Sequence, residues 1–508
     1  MLWFKDLISI LYPELLVLSA IVIAVFLSTS KYKDIIWITS TLLMFTGCVH
    51  IIKNQLNITE PVQILSGMFI ADNLSVVFRL LILTTAILLI LGSVKYTNGF
   101  IHKSEFMIIL LSAVLGSLFL VGANDLITLF IALETLGLSS ILLAGYSKYD
   151  LRSNEASIKY LLNSASASAI FLFGLSILYG ITGATQFQEI KYKLLQLSGD
   201  GNLNSSIIVV LLILIVAGLG FKLASAPFHM WSPDVYDGAP TPATAFLSVI
   251  SKASGFAISL RLIITLFDFT SNLWQPMIIT ISVLSMIIGN FVALGEAINK
   301  SSIKRLMAYS SIAQIGYILI GLALFRTETI TSSIFYLIIY SIMNLGAFLC
   351  IIAFGNEANS DSISDYSGLS QKRPLLAFAF SVCLFNLAGL PIPPAGFIAK
   401  FILFKSSFDC GFAGIVLGSI ALITTILSIY YYSLIVKLMI VDKPSNAVLN
   451  MDSNKESLGK SNELNSAILI SVIAIFIITA YSNPLLKIAG KTTSSISTKN
   501  QLISKGFN

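Results

Sequence analysis

Apolar residues run along this chain in stretches of about 18 to 25, each long enough to cross the hydrocarbon core of a bilayer as a helix. Fourteen such segments are predicted, centred near Leu18, Leu43, Thr84, Val114, Leu133, Phe171, Ile213, Ser251, Leu284, Ile315, Ile339, Cys383, Thr424 and Val472. None shows the two-residue alternation of a membrane barrel strand, so helices are expected throughout. The connections are short except for Asp442 to Glu463, a polar stretch that reads as an exposed linker. The first segment carries Lys5, Asp6 and Glu14 and lacks a small-residue cleavage site, so it is expected to be retained as a helix.

An internal repeat organises these segments. Tyr160-Leu161-Leu162 precedes Lys222 by 62 residues, and Tyr336-Leu337-Ile338 precedes Lys400 by 64. The two blocks lie five helices apart, and an odd offset makes the copies run in opposite senses across the membrane. The predicted architecture is therefore an all-α polytopic membrane protein of about fourteen transmembrane helices with two inverted five-helix repeats containing broken helices. Residues 1–100 form an N-terminal three-helix segment, 101–270 the first repeat (helices 4–8), 271–441 the second (helices 9–13), and 442–508 the polar linker and C-terminal helix. Loops after odd-numbered segments hold fifteen Lys or Arg against five after even-numbered ones, which places the odd loops on the cytoplasmic side or its organellar equivalent and both termini opposite.

Composition sharpens the functional question. Over 508 residues the chain is 56% hydrophobic, only 11% charged, and has a mean hydropathy of +0.88. Glu134, Lys222, Lys252 and Lys400 nevertheless stand inside apolar runs, where an isolated charge costs roughly 2.5 to 3.5 kcal/mol on the mildest insertion scales. Such residues point to charge movement across the membrane. Cys48, Cys350, Cys383 and Cys410, like His50, His102 and His229, are too dispersed to suggest a zinc or iron–sulfur site. There is no phosphate-binding glycine loop, so redox chemistry or nucleotide hydrolysis is expected elsewhere. The net charge of +6 is spread over short loops and is not a nucleic-acid signal.

Two of the lysines stand beside helix breakers. Lys222 precedes Ala226-Pro227, and Lys400 follows Gly389-Leu390-Pro391-Ile392-Pro393-Pro394 and Gly396. Proline removes a backbone donor, and backbone freed at membrane depth is tolerated only inside protein or along a wet cavity. Glu134 has apolar flanks on both sides and needs a cationic partner; with Lys222 at about 4 Å and an effective dielectric near 20, the attraction would be about 4 kcal/mol. A purely structural ion pair is the competing reading. Lys252 is placed to extend a relay from Lys222 toward Lys400. His229 is titratable near neutral pH and is a candidate proton carrier or a hydrogen-bonded structural histidine. Lys159 is a candidate modulator of the Glu134–Lys222 pair or an interfacial lysine, and Asp125 reads as a helix N-terminal charge.

The run Phe221-Lys222-Leu223-Ala224-Ser225-Ala226-Pro227-Phe228-His229, continued by Trp231-Ser232-Pro233-Asp234-Val235-Tyr236 and Gly238-Ala239-Pro240-Thr241-Pro242, resembles the hallmark of antiporter-like subunit 2 (subunit N) of the proton-pumping NAD(P)H:quinone oxidoreductases. Lys304-Arg305-Leu306-Met307-Ala308-Tyr309-Ser310-Ser311 and Gly396-Phe397-Ile398-Ala399-Lys400 match as well. Gly122-Ala123-Asn124-Asp125-Leu126-Ile127-Thr128, Arg152-Ser153-Asn154-Glu155-Ala156 and Ser428-Ile429-Tyr430-Tyr431-Tyr432 are similar to the cyanobacterial and chloroplast branch. The resemblance implies an antiporter-like fold and assigns Glu134 and Lys222 as the coupling pair, Lys252 as the central relay and Lys400 as the exit-side lysine. It implies no cofactor on this chain, with iron–sulfur clusters and a quinone, plastoquinone in this branch, in other subunits, and electrons from ferredoxin or NAD(P)H. The implied partners are sister antiporter-like subunits, small membrane subunits and the lipid bilayer. The implied location is a thylakoid membrane, with a mitochondrial inner or bacterial plasma membrane as alternatives. A free-standing Mrp-type cation/proton antiporter and a non-pumping scaffold are the rival functions. Two departures from the pattern stand out: one extra residue between Gly389 and Lys400, and about four between Gly289-Asn290 and Lys304-Arg305, including Glu296. One inserted residue rotates a continuous helix by about 100°, so Lys400 points inward only if the break absorbs it.

Overall fold

The computed structural model describes residues 2–29, 33–56, 58, 60–199, 205–451, 458, 459 and 461–505. The leading helices are α1 (Leu2–Ser28), α2 (Ile36–His50), α3 (Asn73–Thr97), α4 (Lys103–Gly122), α5 (Leu126–Ala144), α6 (Leu151–Thr182) and α7 (Phe187–Gly199). The middle of the chain forms α8 (Ser205–Leu223), α9 (Trp231–Gly238), α10 (Thr241–Phe246), α11 (Lys252–Leu266), α12 (Ser271–Ile298), α13 (Ile303–Leu324) and α14 (Thr327–Ala358). The remainder is α15 (Leu369–Lys372), α16 (Pro374–Ala388), α17 (Ala395–Phe408), α18 (Gly411–Ile440), α19 (Asn446–Leu449), α20 (Asn462–Ala480) and α21 (Ser482–Lys505).

All fourteen expected segment centres fall on helices, yet among the described residues only 13 helices are long and apolar enough to cross a membrane. The missing one is the Cys383 segment, which divides into the short halves α16 and α17. The break is where the glycines and prolines put it: α16 ends at Gly389, φ +86°, and α17 restarts at Ala395. The seventh segment breaks likewise, α8 stopping at Leu223 before Ala226-Pro227 and α9 resuming at Trp231. The repeat is visible in the helices themselves. α4, α5, α6, α8–α9 and α10–α11 correspond in order to α12, α13, α14, α16–α17 and α18, and α6 and α14 are each 32 residues long.

Three features were not legible as segments. An antiparallel pair of three-residue strands, Val62–Ile64 with Phe69–Ala71, follows α2. The helix α7 is amphipathic and buries Phe187, Ile190 and Leu194 at i, i+3 and i+7. The amphipathic α21 packs against α3 and α14, with Thr331 and Thr493 bonded at 2.9 Å. The expected linker lies partly outside the described residues, at 452–457 and 460, and its start is held rather than free: the Ser445 hydroxyl donates to the Asp365 carbonyl at 2.7 Å, and α19 buries Val448.

Helix burial sets out a centre and an edge. Within an apolar 18-residue stretch, 94% of the residues are buried in Thr241–Leu266, α13 and α14, against 28% in α6. Close approach at the centre requires glycine. A Cβ on Gly289 of α12 would lie 2.5 Å from the Ala313 nitrogen, and one on Gly316 of α13 2.8 Å from the Met286 nitrogen. The two backbones therefore touch in the manner of small-residue membrane interfaces. Gly289→Ala is expected to cost about 1 to 3 kcal/mol through overpacking, read as a lower melting midpoint in detergent; an unchanged midpoint would mean the contact relaxes freely.

Candidate functional site: a line of buried lysines

The four expected charges are not the only buried ones. Arg79 pairs with Glu14 at 2.5 Å, Arg261 with Asp72 at 2.8 Å, Lys191 with Asp268 at 2.8 Å, Lys304 with Asp361 at 2.8 Å, and Arg373 with Glu357 at 2.8 Å. Each of these cations meets a carboxylate, as a structural buried charge must. Lys222, Lys252 and Lys400 are 6%, 1% and 3% exposed, and among the described residues none of the three forms an ion pair. The chemistry of the site rests on that difference.

Lys222 ends α8, where the last-turn carbonyls carry partial negative charge. Its stem packs on α11, since a Cβ at Gly255 would sit 3.2 Å from Lys222 Cγ. Beside it lies an internal cavity of about 10 Å³, the smallest that admits one water, lined by Leu133, Tyr160, Ser164, Ser168 and Phe221 among others. From the wall of this cavity the Ser168 hydroxyl donates to Glu134 Oε1 at 2.5 Å. The expected contact at about 4 Å is not made: no ion pair joins Glu134 to Lys222 among the described residues, although the carboxylate still acts on the lysine electrostatically. Tyr160, Ser164 and Ser168 fall at i, i+4 and i+8, one face of α6, so a single helix stripe lines the cavity.

Lys252 begins α11 directly after a π-helical turn, Leu247–Ser251, that interrupts regular backbone pairing in this span. Its ammonium donates to Ser311 Oγ on α13 at 2.8 Å. Three residues along the same face of α13, Gln314 accepts from the Tyr336 hydroxyl and donates through Nε2 to the Leu387 carbonyl at 3.2 Å. That carbonyl is shared. Lys400 Nζ donates to it at 3.1 Å and to the Ala388 carbonyl at 3.0 Å. Both carbonyls belong to the last turn of α16, which the break leaves without helical partners. The negative end of that helix stands in for a carboxylate, and Lys400 also lies 5.0 Å from the Tyr317 ring centre. The inserted residue before Lys400 is absorbed by the irregular Gly389–Pro394 stretch, and the side chain faces inward.

A second stripe lines this arm. Tyr336, Tyr340 and Asn344 fall at i, i+4 and i+8 on α14, the positions that Tyr160, Ser164 and Ser168 take on α6. Asn344 Nδ2 donates to Ser248 Oγ at 2.7 Å and to the Tyr340 hydroxyl at 3.1 Å, one helical turn before Lys252. Ser248, Ser311, Gln314 and Asn344 were not singled out in the sequence. The available signal was their spacing: a polar residue every third or fourth position inside apolar helices.

His229 is 6% exposed, its Nδ1 lacks a hydrogen-bond partner among the described residues, and Lys252 is the charged neighbour it feels. Lys159 stands elsewhere. It pairs with Asp234 at 2.8 Å and Glu155 at 2.7 Å. Nine residues, about 13.5 Å of helix rise, separate it from Ser168, so it does not touch the Glu134 pair. Asp125 caps α5 by accepting from the Thr128 N–H at 2.7 Å, as expected.

Residues 123–428 match the sequence profile of the NADH:quinone oxidoreductase/Mrp antiporter membrane family. NAD(P)H-quinone oxidoreductase subunit 2 of Gloeothece citriformis is 45% identical over 434 residues, covering 84% of this chain and 82% of the relative. The subunit of the same name from Synechocystis is 43% identical over 456 residues, covering 89% and 85%. Among solved structures, a chain of respiratory complex I from Thermus thermophilus with bound aureothin superposes with a TM-score of 0.76 at 26% identity, covering 94% of this chain and 99% of that one. A chain of the Mrp complex from Dietzia reaches 0.82 at 21% identity, covering 95% and 97%, a likeness of fold.

Proposed function

This chain belongs to the membrane family shared by NADH:quinone oxidoreductases and Mrp antiporters, in its subunit 2 branch, and we propose that it translocates protons along Glu134, Lys222, Lys252 and Lys400 while partner subunits reduce a quinone. The observation that carries the reading is the contrast between paired and unpaired buried cations. Lys252 and Lys400 are held by a hydroxyl and by carbonyls, which accept a hydrogen bond from an ammonium or a neutral amine alike. Each lysine can therefore lose and regain its proton without a carboxylate being stranded. Lys252 with Ser311, and three residues further along α13 Gln314 with the Leu387 carbonyl and Lys400, form the two stretches of an arm toward the second repeat.

The energy scale fits the Glu134–Lys222 gap. Closing an ion pair from about 8 to about 4 Å at an effective dielectric near 20 changes its energy by about 2 kcal/mol. Moving one proton against 100 mV costs about 2.3 kcal/mol. Opening and closing this separation is thus of the size needed to drive one transfer, with the Ser168 hydroxyl holding the carboxylate meanwhile. His229, buried and with Nδ1 unpartnered among the described residues, is a further candidate proton carrier.

In this reading the chain binds no cofactor. Iron–sulfur clusters and quinone reside in other subunits, electrons come from NAD(P)H or ferredoxin, and sister antiporter-like and small membrane subunits are its neighbours. The cyanobacterial relatives favour a thylakoid setting. The Mrp-type alternative is less supported, because the Gloeothece citriformis and Synechocystis relatives, at 45% and 43% identity, are both named NAD(P)H-quinone oxidoreductase subunit 2. Purification in mild detergent discriminates the two: redox subunits travel with the chain, and proton uptake by membrane vesicles follows quinone reduction. Uptake that follows an imposed sodium gradient, with no redox subunit attached, would overturn the proposal. Gln314→Leu keeps the volume and removes both bridging bonds, and it is expected to lower protons moved per quinone about three- to tenfold, measured with a pH-sensitive dye against quinone consumed.

A further inference from the structure

Five charges of alternating sign run across the end of the molecule where α6, α9, α12 and α13 meet. Glu155 and Lys159 on α6 pair at 2.7 Å; Lys159 meets Asp234 Oδ2 on α9 at 2.8 Å; Asp234 Oδ1 meets Arg305 Nη1 on α13 at 3.3 Å; and Arg305 Nε meets Glu296 on α12 at 3.3 Å. The Ser301 hydroxyl donates to the other oxygen of Glu296. Asp234 is the centre of the chain: each of its oxygens holds a cation from a different repeat. Glu296 lies in the short insertion noted in the sequence, so the insertion supplies the terminal anion.

The side chains of Lys159, Asp234 and Arg305 are 43%, 35% and 34% exposed, and each pair taken singly contributes little to stability. What the network does hold is geometry. α6 carries the Ser164 and Ser168 stripe beside Lys222, α9 follows the break after Lys222, and α13 carries Ser311 and Gln314 between Lys252 and Lys400. Among the described residues these pairs link the element that follows Lys222 to the helix that holds the Lys252–Lys400 arm, alongside the Lys304 ammonium of α13, which donates to the Ala239 carbonyl at the end of α9 at 3.2 Å.

We propose that Asp234 is a positioning residue: the hub of an electrostatic latch that ties α6 and α9, beside Lys222, to α13, which holds the Lys252–Lys400 arm, so that rearrangement at one lysine is transmitted to the others. The proposal rests on the proton-translocating reading above. Losing the latch leaves electron transfer intact and disconnects it from proton movement. Because the pairs are partly exposed, added salt weakens them by screening.

The test uses native membranes carrying the assembled complex, with quinone reduction driven by NADPH or reduced ferredoxin and proton uptake followed by a pH-sensitive dye. Asp234→Asn is expected to assemble, to retain at least half of the quinone reduction and to move at least threefold fewer protons per quinone. Asp234→Glu restores the ratio, and Asp234→Asn combined with Lys159→Gln loses no more than Asp234→Asn alone, because the pair that ties Lys159 to α9 is already broken. Should Asp234→Asn fail to assemble, Glu296→Gln, which breaks only the terminal pair, carries the test with a smaller loss in the same direction. A normal ratio in the assembled variant, or losses that multiply as independent effects, overturns the latch. Lys252→Met in parallel separates the two ideas: if it blocks uptake while the latch variants do not, only the latch is wrong, and if it too is silent, the translocation reading falls.

Discussion

Lys252→Met is expected to abolish proton translocation, by about 10²-fold or more, while leaving the protein as stable as before or more so. The substitution keeps the length and bulk of the side chain and removes its only polar atom. Lys252 is 1% exposed and donates to Ser311 Oγ, with no carboxylate bonded to it among the described residues. Its removal therefore strands no opposite charge. The Ser311 hydroxyl keeps its own bond to the Ala308 carbonyl at 2.7 Å, so the cost of the lost acceptor contact is small beside the relief of desolvating an ammonium. Proton uptake by vesicles and a melting curve in detergent check the two halves together. Loss of uptake with a raised or unchanged midpoint supports a working charge; unchanged uptake at normal assembly would make the buried lysines ornamental.

Arg261→Met is expected to do the reverse, destabilising the fold by about 3 to 5 kcal/mol. Arg261 donates through Nη1 and Nη2 to both oxygens of Asp72, at 2.9 and 2.8 Å, and both residues are buried. Burial by itself raises the Asp72 carboxyl; the Arg261 guanidinium, with the Ser75 N–H and hydroxyl, overrides it and holds the group below its ordinary value of 3.8. A depressed folded-state pKa means the pair's contribution is complete above the unfolded value and is lost as pH falls through the lower folded one. Near neutral pH the deletion thus exposes the full penalty of an unpaired buried carboxylate. Asp72 also caps α3 in a reciprocal arrangement with Ser75, so Asp72→Asn is milder than Arg261→Met. The double replacement Asp72→Asn with Arg261→Met should recover most of the loss. Folded yield and melting midpoint in detergent are the readouts, and a single variant as stable as the parent would show that this corner of the membrane domain is well hydrated.

These two outcomes have opposite signs for one reason, and the reason was only half legible in the sequence. Isolated charges in apolar runs identify Lys222, Lys252 and Lys400 as costly. The same logic passes over Arg79, Arg261 and Arg373, whose partners Glu14, Asp72 and Glu357 lie 65, 189 and 16 residues away. Pairing across such separations is a property of helix packing. The Glu134–Lys222 relation shows the converse: both residues were singled out, and the structure bonds Glu134 to Ser168, a residue that lines the small cavity beside Lys222, instead of to the lysine. Lys159 was drawn to that pair by its charge, yet its place on α6 delivers it to Asp234. Gln314 and Ser311 looked like ordinary polar residues until α13 brought them between two lysines.

Hydrophobic run length, proline and glycine placement and the repeated Tyr–Lys spacing determined by themselves that this chain threads a membrane many times, in two inverted halves, with breaks after Lys222 and before Lys400. Those are local properties, because a bilayer demands a helix of set length and a proline interrupts it wherever it stands. Which buried cations meet a carboxylate, which are held by a hydroxyl or carbonyls instead, and what lies between them were decided by the tertiary structure alone. Partnership depends on distances of a few ångströms between residues far apart in the chain, and only packed helices set those distances.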